Sequence, residues 1–359
     1  MTASIEQLAR QLGVLYKSYG YMSYSMSKFE EYELYLRNKD FLISDRVLTF
    51  TDTDGKLMAL KPDVTLSIIK NTRDSAAVQK VFYKENVYRP VNAKQGFREI
   101  MQVGLECMGN IDNYNILEVL LLAVKSLQVV SENCVLDISH MGLLSALLER
   151  SGVTEQYRSR ILEAIGSKNA HEVQMLCAAC GAEPENLVKL AKLSGKRADV
   201  MPQLEAIFAD APEFTQFAQL LSALEQMGAG ACINVDFSVV NDMRYYNGIA
   251  FRGFVEGVPD GILSGGQYDA LMRKMHRNAK AIGFALYPDL LERMALQQEE
   301  QGADTVLLYD ADANLCDIAK AVEMLTKEAA AVSALPVGND TAEYKKVYKL
   351  NGKKVQEIG

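Results

Sequence analysis

The sequence predicts an α+β fold, because stretches with strand-type and helix-type patterns occupy separate parts of the chain. Two short β-type runs, residues 47–50 and 57–60, are joined by Asp52-Thr53-Asp54-Gly55, which is typical of a hairpin. A long middle stretch, residues 142–227, has apolar residues at helical spacing throughout. A β-α-β pattern follows in residues 305–336.

Composition restricts the class of protein. The 359 residues, 49% of them hydrophobic and 23% charged, are typical of a globular protein of two or three domains. The formal net charge of −8 gives no general attraction for nucleic acid. We find no N-terminal basic and apolar signal and no stretch of about 18 apolar residues, so neither secretion nor a membrane span is predicted. Six cysteines without a signal are expected to be reduced thiols, which predicts a cytoplasmic protein.

The first 140 residues contain the polar side chains of most interest. Their elements are predicted in order as a helix at 5–19, a strand at 21–26, the hairpin, a helix after residue 63, strands at 79–83 with 86–89 and at 97–104, a helix at 114–130 and a strand at 135–139. Asp63 follows Pro62 at a helix start, so it is either a plain cap or a ligand-binding carboxylate. Gln102 and Glu106 are four apart on a strand and share a face, which is either a solvated face or the wall of a pocket.

The second half contains a paired tyrosine between two β-type runs. Strands at residues 234–240 and 248–254 flank Tyr245 and Tyr246, which on a strand would point to opposite faces. Gly265 and Gly266 follow and would let a ligand approach the backbone closely. A core hairpin with a glycine turn is the alternative interpretation.

The remaining elements carry weaker signals. They are six helices within residues 142–227, a strand at 281–286, the β-α-β unit with its helix at 314–329, and a strand pair at 344–358. Cys177 and Cys180 form a lone Cys-x-x-Cys, more typical of two apolar helix residues than of a zinc site. Five lysines of the last strand pair indicate a charged, solvated edge in preference to a basic binding patch. They are Lys345, Lys346, Lys349, Lys353 and Lys354.

Three motifs carry a family resemblance. The tyrosine pair followed by Gly265-Gly266-Gln267-Tyr268-Asp269 resembles the histidine-specificity segment of histidyl-tRNA synthetases, where the element is Gly-Gly-Arg-Tyr-Asp. Val87-Tyr88-Arg89 with the strand from Phe97 resembles the second class II signature, and Ile282-Gly283-Phe284-Ala285-Leu286 resembles the third. The resemblance extends from about residue 5 to 295 and implies a class II aminoacyl-tRNA synthetase-like antiparallel sheet flanked by helices. Its expected parts are residues 1–141 (core, first part), 142–230 (helical insertion), 231–296 (core, second part) and 303–359 (small C-terminal α/β domain).

The sequence departs from active synthetases in the ATP half of the site. Asn241 stands where the family has an arginine, Leu290 replaces the adenine-stacking arginine, and Val91 replaces an adenine-binding glutamate. Each lost contact would cost on the order of 3 kcal/mol of transition-state stabilisation. The C-terminal segment is also short for an anticodon-binding domain. The resemblance therefore implies no catalytic residues, no cofactor and no metal, with tRNA not expected as a partner.

What remains resembles the regulatory subunit family of short-form ATP phosphoribosyltransferase, which serves the first step of histidine biosynthesis. The resemblance implies a catalytic-subunit partner, histidine feedback and a homodimer within a hetero-oligomer. It also implies that free histidine binds at Asp63, Thr65, Arg89, Gln102, Glu106, Tyr245, Tyr246, Gly265 and Gly266. Two alternatives stay open: a divergent histidyl-tRNA synthetase using Arg98, Arg244 or Arg252, and a histidine-binding paralogue that serves another partner.

Overall fold

The computed structural model describes residues 2–42, 44, 46–90, 96–240, 245–291, 303, 305–327, 331–341 and 344–358. The chain divides into two compact units, Met1–Leu291 and Glu292–Gly359. Each unit has its own sheet and hydrophobic core and is described by itself.

The first unit contains two sheets. Its strands are β1 (Met22–Ser23), β2 (Phe29–Glu31), β3 (Thr49–Thr51), β4 (Leu57–Leu60), β5 (Gln79–Pro90), β6 (Phe97–Gly109), β7 (Cys134–His140), β8 (Ser194–Gly195), β9 (Ile233–Asp236), β10 (Ile249–Val255), β11 (Leu263–Gln267) and β12 (Lys280–Leu286). The large sheet has the order β1-β5-β6-β12-β11-β10-β7-β9-β8, and the small one has the order β2-β4-β3. All pairs are antiparallel except β1 with β5 and β7 with β9. The predicted α+β class with a mainly antiparallel sheet is confirmed.

Helices cover this sheet and make up the middle of the chain. They are α1 (Thr2–Ser18), α2 (Tyr32–Arg37), α3 (Val64–Asn71), α4 (Asn113–Val130), α5 (Met141–Arg150), α6 (Glu155–Gly166), α7 (Ala170–Cys180), α8 (Glu185–Lys192), α9 (Arg197–Phe208), α10 (Pro212–Gln226) and α11 (Asp269–Lys274). The six helices predicted for residues 142–227 correspond to α5 to α10. His140 has a structural role, because its Nδ1 accepts a hydrogen bond from the Leu143 N–H and caps α5.

Several strands differ from the sequence prediction because pairing sets their length. β6 extends to Gly109, since β5 pairs with it without interruption from Gln79 opposite Met108 to Pro90 opposite Phe97. The strand predicted at residues 21–26 is reduced to two residues that pair with β5. The stretch predicted to be helical throughout is interrupted by β8, which adds to the sheet beside β9.

Helix α4 corrects the prediction that no stretch of the chain could span a membrane. By length and composition alone it is apolar enough to do so, with a mean hydropathy of 1.2 over 18 residues. In the structure 56% of the helix is buried, and it packs on β7, β10 and β12 and against α1 and α10. Its position in the core accounts for its composition without a membrane.

The second unit is a small α/β structure. Strands β13 (Thr305–Tyr309), β14 (Val332–Pro336), β15 (Lys346–Asn351) and β16 (Lys354–Glu357) form a sheet of order β14-β13-β15-β16, with helix α12 (Leu315–Leu325) packed on it. β13 is parallel to both neighbours, and β15 and β16 form the predicted hairpin. In the described part of the hairpin Lys349 pairs with Asp310, and Lys345, Lys346, Lys353 and Lys354 are exposed.

Lys61, just after β4, provides a test of the packing of the first unit. Its ammonium is fully buried and lies 2.7 Å from the Glu85 carboxylate, which is itself only 13% exposed. Removing one partner of a buried ion pair leaves an uncompensated charge, so Lys61→Ala is expected to lower the free energy of unfolding by about 3–5 kcal/mol in a urea titration. Lys56→Ala is the matched control, because its ion pair with Glu31 is more than half exposed, and we expect a loss below about 1 kcal/mol. Equal losses in the two variants would contradict this assignment.

Candidate functional site

A cavity of about 440 Å³ opens on one face of the large sheet, within the size range of small-molecule sites. Seven of the nine predicted site residues line it: Asp63, Thr65, Arg89, Gln102, Glu106, Tyr245 and Tyr246. They come from the start of α3, from β5 and β6, and from the segment before β10. Gly265 and Gly266 do not line this cavity.

Three small residues of neighbouring strands line the floor of the cavity: Gly283 and Ala285 of β12 and Ser264 of β11. Strand register places Glu106 of β6 beside Gly283 of β12, which in turn lies opposite Gly266 of β11. The next position on the same face pairs Gly104 with Ala285, which lies opposite Ser264. Glu106 fills the space above Gly283, and the Tyr246 ring fills that above Gly266. Because Ala285 and Ser264 carry short side chains, the longer side chains around them enclose free space above the sheet.

Glu106 is the central polar group of the site. It is 2% exposed, and its two carboxyl oxygens accept hydrogen bonds from Thr65 Oγ1 at 2.8 Å and from the Tyr268 hydroxyl at 2.7 Å. A Cβ on Gly283 would overlap Glu106 Oε2, so glycine is needed there for the carboxyl group to fit. Burial raises the pKa of Glu106 to about 8, although the two hydroxyl donors act in the opposite direction.

Asp63 and Arg89 form a second polar group beside Glu106. Asp63 caps α3 by accepting a hydrogen bond from the Leu66 N–H at 2.9 Å, as the sequence predicted. Arg89 donates through Nε to the Pro62 carbonyl at 2.5 Å, and its Nη2 lies 3.5 Å from Asp63 Oδ2. Burial raises the pKa of Asp63 despite the attraction of Arg89. Backbone contacts therefore hold a carboxylate and a guanidinium side by side at the cavity wall.

The tyrosine pair is placed differently from its prediction. Tyr245 and Tyr246 lie in a turn before β10 begins at Ile249, so the alternation of strand side chains does not apply, and both line the cavity. Their ring centroids are 5.0 Å apart, and the Tyr245 ring also lies 5.8 Å from that of Tyr268 and 6.2 Å from that of Phe41. The sequence pattern was wrong here because the chain turns before it enters the sheet.

The two glycines make room for aromatic rings of the protein itself. A Cβ on Gly266 would lie 2.7 Å from Tyr246 Cδ1, and a Cβ on Gly265 would lie 2.6 Å from Phe251 Cζ. Gly265 also lines a separate cavity of about 160 Å³. Any direct contact between these glycines and a ligand stays a prediction.

Several lining residues were not identified from the sequence. Tyr83, Ser264, Tyr268 and Tyr287 contribute hydroxyl groups, and Asp40 comes from a short 3-10 turn. Tyr268 stands inside the quoted Gly-Gly-Gln-Tyr-Asp element, so that motif contained the signal. The other positions have no local pattern that separates them from ordinary sheet and loop residues.

The charges around the cavity favour a ligand with a positive group. Among its described lining residues, Asp40 and Asp63 are acidic, Glu106 becomes a carboxylate above a pKa of about 8, and Arg89 is the one strong base. A triphosphate would need several cations instead. Leu290 is half-buried against the main core, and of the substitute arginines proposed for a ligase, Arg98 is exposed while Arg252 lines the smaller cavity. Val91, Asn241 and Arg244 lie outside the described residues.

Comparison with known proteins agrees with this architecture. A family model described as histidyl-tRNA synthetase matches residues 1–291. The ATP phosphoribosyltransferase regulatory subunit of Alkaliphilus metalliredigens is 27% identical over 326 residues, covering 86% of this chain and 82% of that protein. The crystal structure of an ATP phosphoribosyltransferase regulatory subunit/histidyl-tRNA synthetase from Bacillus halodurans C has a TM-score of 0.70 at 23% identity, covering 96% of this chain and 93% of that one.

A further solved structure comes from a complex. A chain of the ATP phosphoribosyl transferase (HisG:HisZ) complex from Thermotoga maritima has a TM-score of 0.61 at 18% identity, covering 78% of this chain and 96% of that one. Together these matches confirm the resemblance and the class II synthetase-like fold predicted from the sequence. The named relatives are regulatory subunits and not catalytic ones.

The raised pKa of Glu106 predicts a pH-dependent stability. Its carboxyl group keeps its proton in the folded protein up to a pKa of about 8, whereas the usual value is 4.5. Between these values the folded state binds more protons, so stability falls as the pH rises, by on the order of 1 kcal/mol per pH unit at most. Glu106→Gln removes this ionisation and serves as the reference.

Urea unfolding of both proteins from about pH 5 to about pH 9 measures the difference. The wild type should lose stability relative to Glu106→Gln up to about pH 8, and the difference should stay constant above that value. Asp63 is present in both proteins, and its charge contributes to the raised pKa of Glu106 in the wild type. Parallel pH profiles would show that Glu106 is not the buried acid described above.

Proposed function

The chain belongs to the histidyl-tRNA synthetase family, and from that premise we propose that it is a non-catalytic regulatory subunit that activates a short-form ATP phosphoribosyltransferase. We further propose that its cavity binds free histidine and takes part in feedback by that amino acid. The observation that carries the histidine site is the buried Glu106 carboxyl group, held by two hydroxyls next to the Asp63–Arg89 pair.

A histidine zwitterion requires three kinds of partner at once, and the lining of the cavity offers each. Asp63 supplies a carboxylate for the ammonium group, with Thr65 beside it. Arg89 supplies a guanidinium for the carboxylate, with Gln102 as a second donor. Thr65 donates to Glu106 and thereby connects the ammonium end of the cavity to the ring end.

Glu106 suits an imidazole ring in either of its protonation states. A neutral carboxyl group can donate to an unprotonated ring nitrogen, and a carboxylate can accept from a ring N–H. A ligand with an apolar side chain could do neither and would give the buried Glu106 carboxyl group no additional hydrogen-bond partner. Tyr245 and Tyr246 would form the aromatic wall against which the ring packs.

The regulatory role rests on the relatives and on the composition of the site. Two curated relatives, at 27% and 28% identity over most of their length, are named ATP phosphoribosyltransferase regulatory subunits. The related complex from Thermotoga maritima is named for both of its components. The single strong base among the described lining residues is a further reason to expect no ATP chemistry, since adenylation needs several cations around the phosphates.

Feedback places a thermodynamic requirement on this cavity. Histidine shifts the activity of the assembly only if it binds two conformations of that assembly with unequal affinity.

The assembly we propose is a homodimer of this chain within a hetero-oligomer that contains the catalytic subunit. The four-part division of the chain, with residues 142–230 as an insertion, is retained as part of the proposal.

A functioning ligase is the competing proposal, and the described residues favour it less. Arg98 is exposed and Arg252 lies in the smaller cavity, so neither lines the space around Glu106. Pyrophosphate exchange that depends on both histidine and ATP, above a blank without protein, would decide for the ligase. A histidine-binding paralogue with another partner would instead bind histidine without raising phosphoribosyltransferase turnover.

Replacing Glu106 tests the histidine site directly. Glu106→Ala should weaken histidine binding by about 1.5–3 kcal/mol, because the buried imidazole would lose its hydrogen-bond partner. Isothermal calorimetry of the isolated protein, and of its complex with the catalytic subunit, measures the change. Glu99→Ala is the control, because Glu99 is an exposed carboxylate on the same strand and outside the cavity. Equal affinities of wild type and Glu106→Ala for histidine would contradict the assignment of this cavity as the histidine site.

The partner is tested by reconstitution. We expect the purified chain and a short-form ATP phosphoribosyltransferase to form one larger species by light scattering and to show higher turnover together than the enzyme alone. Glu106→Ala should still assemble, since the cavity residue is 2% exposed and not part of the outer surface. Two species that stay separate, with unchanged turnover, would contradict the regulatory assignment.

A further inference from the structure

One end of the cavity is closed by a residue that the proposed histidine contacts do not involve. Along one face of β12 and its continuation, positions 283, 285 and 287 are Gly, Ala and Tyr, and all three line the cavity. The side chain grows from a hydrogen atom to a methyl group to a phenol ring over these positions. The Glu106 carboxyl group occupies the space above Gly283, whereas the methyl group of Ala285 leaves space above the sheet, and the Tyr287 ring bounds that space.

Backbone contacts on both sides hold Tyr287 in place. Its N–H donates to the Ile262 carbonyl at 2.8 Å, which continues the pairing of β12 with β11 by one residue. Two residues later, Asp289 accepts a hydrogen bond from the Met101 N–H at 2.9 Å. The phenol hydroxyl lies 3.4 Å from Ser264 Oγ, so the ring spans the sheet face toward β11.

Strand register places this ring next to the carboxylate end of the proposed histidine site. Leu286 pairs with Val103, so Tyr287 follows beside Gln102 of β6. Under the proposed function, on which this step rests, the ligand's carboxylate lies between Arg89 and Gln102. A group attached to that carboxylate would then point at the Tyr287 ring.

We infer that Tyr287 is a specificity-determining residue: its ring closes the cavity beside Gln102, so the site takes an amino acid with a free carboxylate and rejects one extended at that group. The ligand class is thus the free amino acid and not its esters, its N-substituted amides or its mixed anhydrides. Ser264 supports the ring through the hydroxyl contact but is not needed for the steric block. Shortening Tyr287 should admit the larger ligands, whereas removing its hydroxyl should not.

Two amides of L-histidine isolate the effect of bulk. L-histidinamide and L-histidine β-naphthylamide both lack the carboxylate, so both lose the same contact with Arg89, and the second adds a naphthyl ring to the amide nitrogen. We expect wild-type protein to bind the small amide at least about tenfold more tightly than the large one, the scale of a steric overlap in a packed site. Calorimetry on the full chain gives both affinities, and naphthyl fluorescence provides a second measurement for the large amide.

Variants at position 287 assign the discrimination to the ring. Tyr287→Phe should keep the preference, because the ring remains, and Tyr287→Ala should reduce it to about threefold or less. Thermal unfolding checks that each variant folds, and Tyr287→Leu replaces the alanine variant if that one does not. A preference that persists in the shortened variant, alanine or leucine, would overturn the inference.

Free L-histidine, titrated into the same preparations, separates this inference from the proposed function. Wild-type protein that binds histidine but treats the two amides alike, or binds neither, would overturn the role of Tyr287 alone. Wild-type protein that binds neither histidine nor the amides would overturn the histidine site and, with it, this inference.

Discussion

Burial of a single carboxyl group is the constraint around which the first unit is arranged. Glu106 lies almost without solvent contact above the sheet, and a buried acid must be hydrogen-bonded if it is not to destabilise the fold. Its donors come from separate parts of the chain: Thr65 from the first turn of α3 and Tyr268 from the start of α11. Gly283 of β12 leaves the space that the carboxyl group fills. The position of the helices, the register of the strands and the placement of the glycine are therefore all needed to accommodate the Glu106 side chain.

The same arrangement explains why the cavity suits binding more than chemistry. Backbone partners hold Asp63 and Arg89 in place before any ligand binds. Their side chains therefore lose little conformational freedom on binding. With Asp40 and Asp63 against the single base Arg89, the described lining residues favour an ammonium group over phosphates. A family scaffold can in this way keep an amino-acid pocket while the groups for nucleotide chemistry are replaced, since function resides in the site and not in the fold.

Much of this site could be anticipated from local pattern. Asp63 was placed at a helix start by Pro62 and the apolar helix after it, and the structure shows the cap. Gln102 and Glu106 were placed on one face by strand alternation, and both line the cavity. Strand alternation would have pointed Tyr245 and Tyr246 to opposite faces, and that prediction was wrong, because both precede β10 and line the cavity. The ligand roles of these residues remain predictions.

The sequence by itself determined the class of fold, the order of its elements and the polar residues whose period of two or of 3.6 marks a face, because such signals depend on neighbours in the chain. Only the tertiary structure decided which distant residues meet. The Tyr268 hydroxyl reaches a carboxyl group 162 residues earlier in the chain, and Tyr287 comes to lie beside Gln102 through strand register. Register is set by pairing along whole strands, which no short motif records. The shape and the closed end of the cavity follow from that long-range pairing.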